Sequence, residues 1–120
     1  MKPRRDYTDY LQDILEATTK AKQFVNDTDF DSFRKNDEKV YAVIRALEII
    51  GEAAGNVPRS IRIRYPEIPW KDIVGMRNKV IHAYFGVDLQ VVWKTIHEDL
   101  SDLQTSIAKI LNDLKRELGT

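Results

Sequence analysis

From Leu89 onward, apolar residues return at every third or fourth position: Leu89, Val92, Ile96, Leu100, Leu103, Ile107, Ile110, Leu114 and Leu118. That spacing lines one face of an α-helix and neither face of a strand. It predicts one long helix over about residues 88–118. A helix of this kind is held mainly by packing its apolar stripe against other stripes. The chain supplies them. Tyr7, Tyr10, Leu11, Ile14, Ala17, Ala21 and Phe24 predict a first helix over about residues 4–25. Val40, Val43, Ile44, Leu47, Ile50 and Ala54 predict a second over about 37–56, with Asn36 or Asp37 as its cap. Pro69-Trp70 opens a third main helix that runs to about Phe85, because proline suits a first helical position and Gly86 is a natural stop. Residues 56–68 carry Pro58 and Pro66 and predict a loop with a short helical turn. No strand pattern or internal repeat appears. The expected architecture is all-α: a single domain over residues 1–120, an antiparallel bundle of four main helices plus the short turn.

Composition narrows the function classes. The 120 residues include 19 Lys+Arg and 19 Asp+Glu, so the net charge is zero. Overall charge therefore does not hold this chain to nucleic acid, although a local basic site stays open. There is no cysteine, which removes disulfides and thiolate metal sites. The opening Met-Lys-Pro-Arg-Arg-Asp lacks the apolar core of a signal peptide, and no apolar run approaches the roughly 20 residues of a membrane span. A soluble, cytoplasmic protein without a membrane partner is expected. Asp27-Thr-Asp-Phe-Asp31, with Glu38 downstream, partly imitates a calcium loop, but Ser32 holds the sharp-turn glycine position and Arg34 follows where an apolar residue is usual. No metal and no cofactor are expected. His97 stands alone on the last helix and reads as surface or flank structure.

One segment breaks the pattern: Arg77-Asn78-Lys79-Val80-Ile81-His82-Ala83-Tyr84. At about 100° per residue, Ile73, Val74, Val80, Ile81 and Tyr84 all fall within about 60° of Arg77. A regular helix would set Arg77 in the middle of the apolar stripe, with Asn78 and His82 together on its flank. A core arginine is costly unless its charge is paired and its donors are satisfied. A buried ion pair with Glu48 or Glu52 of the second helix is one account of it. Helix-flank structure accounts for His82 alone, and core packing with a hydrogen-bonded hydroxyl accounts for Tyr84 alone. The functional account rests on the combination. Arginine fixes and neutralises phosphate, and histidine moves protons near neutral pH. Gly75 and Gly86 fall beside His82, where missing side chains would admit a partner or a ligand. Upstream, Arg59, Arg62, Arg64 and Lys71, together with Lys79, are candidate RNA-binding residues. Tyr65 and Trp70 lie among them, suited either to stacking on bases or to packing in the core.

These residues carry a resemblance. Arg-polar-x-x-x-His is the signature of the HEPN domain family, and Arg-x-x-x-x-His-x-Tyr resembles its HepT-like branch, the ribonuclease toxins of toxin–antitoxin pairs. Here the positions are Arg77, Asn78, His82 and Tyr84. Residues 41–54, Tyr-Ala-Val-Ile-Arg-Ala-Leu-Glu-Ile-Ile-Gly-Glu-Ala-Ala, resemble the family's second helix. Residues 70–85 resemble its motif helix, and Val87-Asp88 opens the last helix as the family does.

The resemblance implies a metal-independent RNA endonuclease. Arg77 and His82 would be the catalytic pair, and Asn78 would orient His82 or donate to a phosphate oxygen. The products would be a 2′,3′-cyclic phosphate and a free 5′-hydroxyl. It also implies a homodimer, with two motifs across one cleft. This answers the misfit of one chain's pair, since Arg77 and His82 lie about 140° apart on a regular helix. The implied partner is a minimal nucleotidyltransferase, an antitoxin that adenylylates Tyr84. The competing expectation is a catalytically idle HEPN module that binds nucleotide or protein.

Overall fold

The computed structural model describes residues 6–78 and 88–117. Seven helices are assigned among them: α1 Tyr7–Val25, α2 Phe30–Lys35, α3 Asp37–Gly55, α4 Arg59–Arg64, α5 Trp70–Val74, α6 Leu89–Glu98 and α7 Leu100–Glu117. No strand occurs among the described residues, and the all-α expectation holds.

Local chemistry sets the helix starts. Asp6 caps α1: its carboxylate accepts from the amides of Thr8 and Asp9, and Asp9 returns a bond to the Asp6 amide. The Thr8 hydroxyl also donates to the Asp6 carboxylate, and this bond first, then the Thr8 amide, holds that carboxyl below its ordinary value. Asn36 caps α3 by accepting from the Lys39 amide at 3.1 Å. Asp88 caps α6 by accepting from the Val91 amide at 3.2 Å.

The calcium-like stretch turns out to be the start of a short helix. Asp29 caps α2 through the Ser32 amide, and Asp31 pairs with Arg34 and Lys35. Both carboxylates thus have structural work. Phe33 of α2 is fully buried and packs against Trp93 of α6 at 5.2 Å between ring centroids. His97 also lies against Trp93, at 4.2 Å between ring centroids, with its Nδ1 2.9 Å from the Trp93 carbonyl. It is flank structure, as its isolation in the sequence suggests.

The core is formed chiefly by α1, α3 and α7. Leu11 and Ile14, Val43, Leu47 and Ile50, and Leu100 and Ile107 are essentially without solvent contact. A side-chain chain ties α1 to α7: Lys22 donates to Gln104 at 2.8 Å, and Gln104 donates to Thr19 at 2.9 Å. Lys39 donates to the Phe24 carbonyl at the end of α1, where a cation suits the exposed carbonyls.

The last helix departs from expectation by an interruption. The single helix predicted over 88–118 is interrupted at Asp99. Its apolar stripe continues across the interruption through Ile96, Leu100 and Leu103, which is why periodicity alone does not reveal it. One turn earlier the buried Thr95 hydroxyl bonds back to the Val91 carbonyl at 2.8 Å, a contact that favours helix bending. The first half, α6, packs against α2, and the second, α7, runs along α1.

Candidate functional site

The site begins with a short, well-anchored helix. Trp70 opens α5, is buried, and donates its indole N–H to the Tyr65 carbonyl at 3.0 Å. Ile73 is buried one turn on. The helix stops at Gly75, whose amide donates to the Lys71 carbonyl at 3.0 Å. Helical backbone resumes over residues 76–78, and the Asn78 amide donates to the Gly75 carbonyl at 3.0 Å.

This turn corrects the helical wheel. Met76 is buried, whereas Arg77 and Asn78 are both exposed. An uninterrupted helix would have put Arg77 in the core stripe. The turn at Gly75 changes the phase, so Met76 takes the inward position and Arg77 rotates to solvent. The buried ion pair with Glu48 or Glu52 is therefore not formed. Glu48 lies 3.8 Å from Arg45 on its own helix, and Glu52 is exposed. The Arg77 side chain is exposed, and no hydrogen bond or ion pair ties it to another described residue.

His82, Tyr84, Lys79 and Gly86 lie outside the described residues. Of the candidate catalytic residues, Arg77 and Asn78 are placed, side by side on an exposed turn. The nearest atoms to a Cβ built at Gly75 are the carbonyl oxygens of Lys71 and Asp72, each at 3.3 Å, from its own preceding turn.

The upstream basic residues divide sharply. Arg62 is half-buried and structural: its Nε donates to the Val57 carbonyl at 3.0 Å, just past α3, and its Nη2 to the Ala54 carbonyl at 2.7 Å, in the last turn of α3. Arg64 pairs with Glu117 at the end of α7, and that contact is the main reason its pKa is raised. Arg59 and Lys71 are exposed and remain candidates for RNA contact. Tyr65 and Trp70 are both buried, so neither presents a face to a base. Their role is the core, and burial raises the Tyr65 hydroxyl pKa above its ordinary value.

A groove of about 330 Å³ opens beside this turn, with Ile68, Ile73, Met76 and Leu103 along it. Glu67, Asp72, Asp99 and Asp102 stand around it. Such a rim repels phosphate, and Arg77 is not among the residues that line it. Among the described residues no group of three or more His, Asp or Glu side chains is arranged to hold a metal ion. No helix among them is long and apolar enough to cross a membrane.

One residue escaped the sequence reading. Gly51 lies buried in the C-terminal part of α3, and its open side faces the backbone of residues 73–77. Its signal is compositional: a glycine inside a strong helix weakens that helix and so asks for a packing reason.

The described residues form an all-α bundle that leaves Arg77 and Asn78 exposed. Comparison with known proteins defines the family. The description "Ribonuclease HepT-like" matches residues 14–110. Over 107 residues, 89% of this chain and 97% of the relative, the sequence is 46% identical to a Thermococcus cleftensis protein named "Probable ribonuclease HepT". It is 43% identical over 115 residues, 96% of this chain and 99% of the relative, to a Methanocaldococcus jannaschii protein named a "Putative RNase". A Caldanaerobacter subterraneus protein, also named a "Putative RNase", is 39% identical over 106 residues, 88% of this chain and 95% of the relative. No solved structure matches significantly. The chain belongs to the HepT-like ribonuclease family, which is of the HEPN type.

Proposed function

We propose that this protein is a metal-independent RNA endonuclease, the toxin of a cytoplasmic toxin–antitoxin pair, acting as a homodimer. The observation that carries this reading is the exposure of Arg77 and Asn78 immediately after the buried Ile73 and Met76. A structural arginine would be expected to turn inward to a carboxylate. This one faces solvent on a turn whose other side is anchored.

The chemistry follows from the residue types. His82, as general base, takes the proton from a ribose 2′-hydroxyl. The 2′-oxygen attacks the adjacent phosphorus, the bond to the 5′-oxygen breaks, and that oxygen leaves with a proton. Arg77 binds the phosphate and stabilises charge growing on its oxygens. Asn78 orients His82 or donates to a phosphate oxygen. A 2′,3′-cyclic phosphate and a 5′-hydroxyl result. Two copies facing across a cleft would bring the arginine of one motif toward the histidine of the other.

Control would come from a nucleotidyltransferase antitoxin. It would move AMP from ATP to the Tyr84 hydroxyl, with pyrophosphate leaving. The added phosphate would compete with RNA for Arg77 and occupy the cleft.

The test is cleavage of single-stranded RNA by the purified protein in a chelator. The expected result is cleavage with cyclic-phosphate ends, lost in His82→Ala. Cleavage that needs magnesium, or that survives loss of His82, would sink the mechanism. No cleavage by a folded dimer, with retained nucleotide or partner binding, would favour the idle module. Co-expression with a neighbouring nucleotidyltransferase, followed by intact-mass measurement, tests the control step. The gain of one or more AMP units should disappear in Tyr84→Phe.

A further inference from the structure

We infer that Gly51 is a positioning residue for Arg77: its missing side chain fixes how closely the 73–77 turn sits on α3. The inference rests on the reading of Arg77 as part of the nuclease site.

The geometry is specific. A Cβ at position 51 would lie 3.3 Å from the Arg77 amide nitrogen, and 3.4 Å from the carbonyl oxygens of Ile73 and Val74. All three atoms are backbone, so no flexible side chain can swing aside to make room. They also belong to the residues that flank the Gly75 turn, where the chain changes phase and sends Arg77 outward. Around this contact the packing is closed: Leu47, Ile50 and Ala54 on α3, with Ile73 and Met76 opposite, are all buried. A methyl group at position 51 would be accommodated by moving the turn a few tenths of an ångström away from α3. Because Arg77 has no described partner to re-fix it, that movement would pass directly to the guanidinium.

The sequence contains its own control. Gly55 lies one turn further along α3, and a Cβ there would meet nothing within 4 Å. Both positions gain helix propensity when glycine becomes alanine. Only position 51 pushes on the turn.

The experiment compares Gly51→Ala and Gly51→Val with Gly55→Ala in the full chain, by three readouts. The first is thermal unfolding. The second is RNA cleavage resolved into kcat and KM. The third is the NMR chemical shift of the Arg77 amide and of the Ile73 and Val74 carbonyls. Displacement of a catalytic group by a fraction of an ångström lowers turnover more than binding. Gly51→Ala is expected to lose about 5- to 10-fold in kcat with KM nearly unchanged, and Gly51→Val more. Tm should stay level or rise in Gly51→Ala, while the three backbone signals move in both Gly51 variants and stay still in Gly55→Ala.

Unmoved Arg77, Ile73 and Val74 signals would overturn the inference. So would a large fall in Tm with unchanged turnover per folded molecule, since that describes packing alone. If the wild-type protein does not cleave RNA, the nuclease reading fails, and the NMR shifts by themselves decide whether Gly51 places Arg77.

Discussion

Arg62 and Arg77 carry the same side chain in one short, basic stretch of sequence, and the fold treats them in opposite ways. Arg62 lies on α4 and folds back on α3, donating to the Ala54 and Val57 carbonyls. Ala54 lies in the last turn of α3 and Val57 just beyond it, so the guanidinium ties α4 to the end of that helix. Arg77 follows a turn whose inward positions are already filled by Ile73 and Met76, and it points to solvent. The difference teaches that basic residues along a sequence do not sum to a nucleic-acid surface. What matters is whether a backbone carbonyl or a carboxylate has already claimed each cation.

The sharpest way to break this comparison is to truncate both arginines. Arg77→Ala should lower RNA cleavage about 100- to 1000-fold, the scale for removing one transition-state donor. Its unfolding free energy should change by no more than about 0.5 kcal/mol, as expected of an exposed residue without structural contacts. A strongly destabilised Arg77→Ala would show that this arginine too is structural.

Arg62→Ala should do the reverse. Loss of two charged-donor hydrogen bonds at a helix end should cost about 1.5–3 kcal/mol in denaturant unfolding. Cleavage per folded molecule should stay within about 2-fold of wild type, a difference of about 0.4 kcal/mol in barrier. A loss of cleavage without loss of stability would move Arg62 back among the RNA contacts.

A smaller effect separates the aromatic residues of the same stretch from the surface. Burial raises the Tyr65 pKa above the ordinary value for a tyrosine. The folded state thus holds the phenolic proton more tightly than the unfolded chain does. That contribution to stability is fully present below pH 10 and is lost as pH rises through the folded pKa. In Tyr65→Phe, unfolding measured between about pH 9 and 11.5 should show a shallower decline at the alkaline end, since a Tyr titrates near pH 10. An unchanged slope would mean that Tyr65 is hydrated, and that a base could reach it after all.

How far the sequence could be read differs between elements for definite reasons. Stripes at three and four residues identify α1 and α3, because each buries one continuous face against the other. The caps at Asn36 and Asp88 are equally legible, since a side-chain oxygen three residues before an amide is a local arrangement. The interruption at Asp99 is not legible, because the apolar stripe continues across it. Helix α2 is short and held by the burial of Phe33 against Trp93, a contact between residues far apart in the chain.

At the site, the amino-acid sequence by itself determined the residue types and their order: an arginine, a polar amide, a histidine and a tyrosine within one segment, in a chain without cysteine. Together with two resembling segments, that order was enough to indicate the family. Only the tertiary structure decided which cations are free to meet RNA. Periodicity assumes one unbroken helix, and under that assumption Arg77 belongs in the core. The turn at Gly75, seated against Gly51 of a helix more than 20 residues earlier, rotates it outward. The claims on Arg62 and Arg64 likewise come from carbonyls and a carboxylate that folding brings to them. Hydrogen bonds and van der Waals limits act over a few ångströms in space, and spacing along the chain does not record which atoms will come that close.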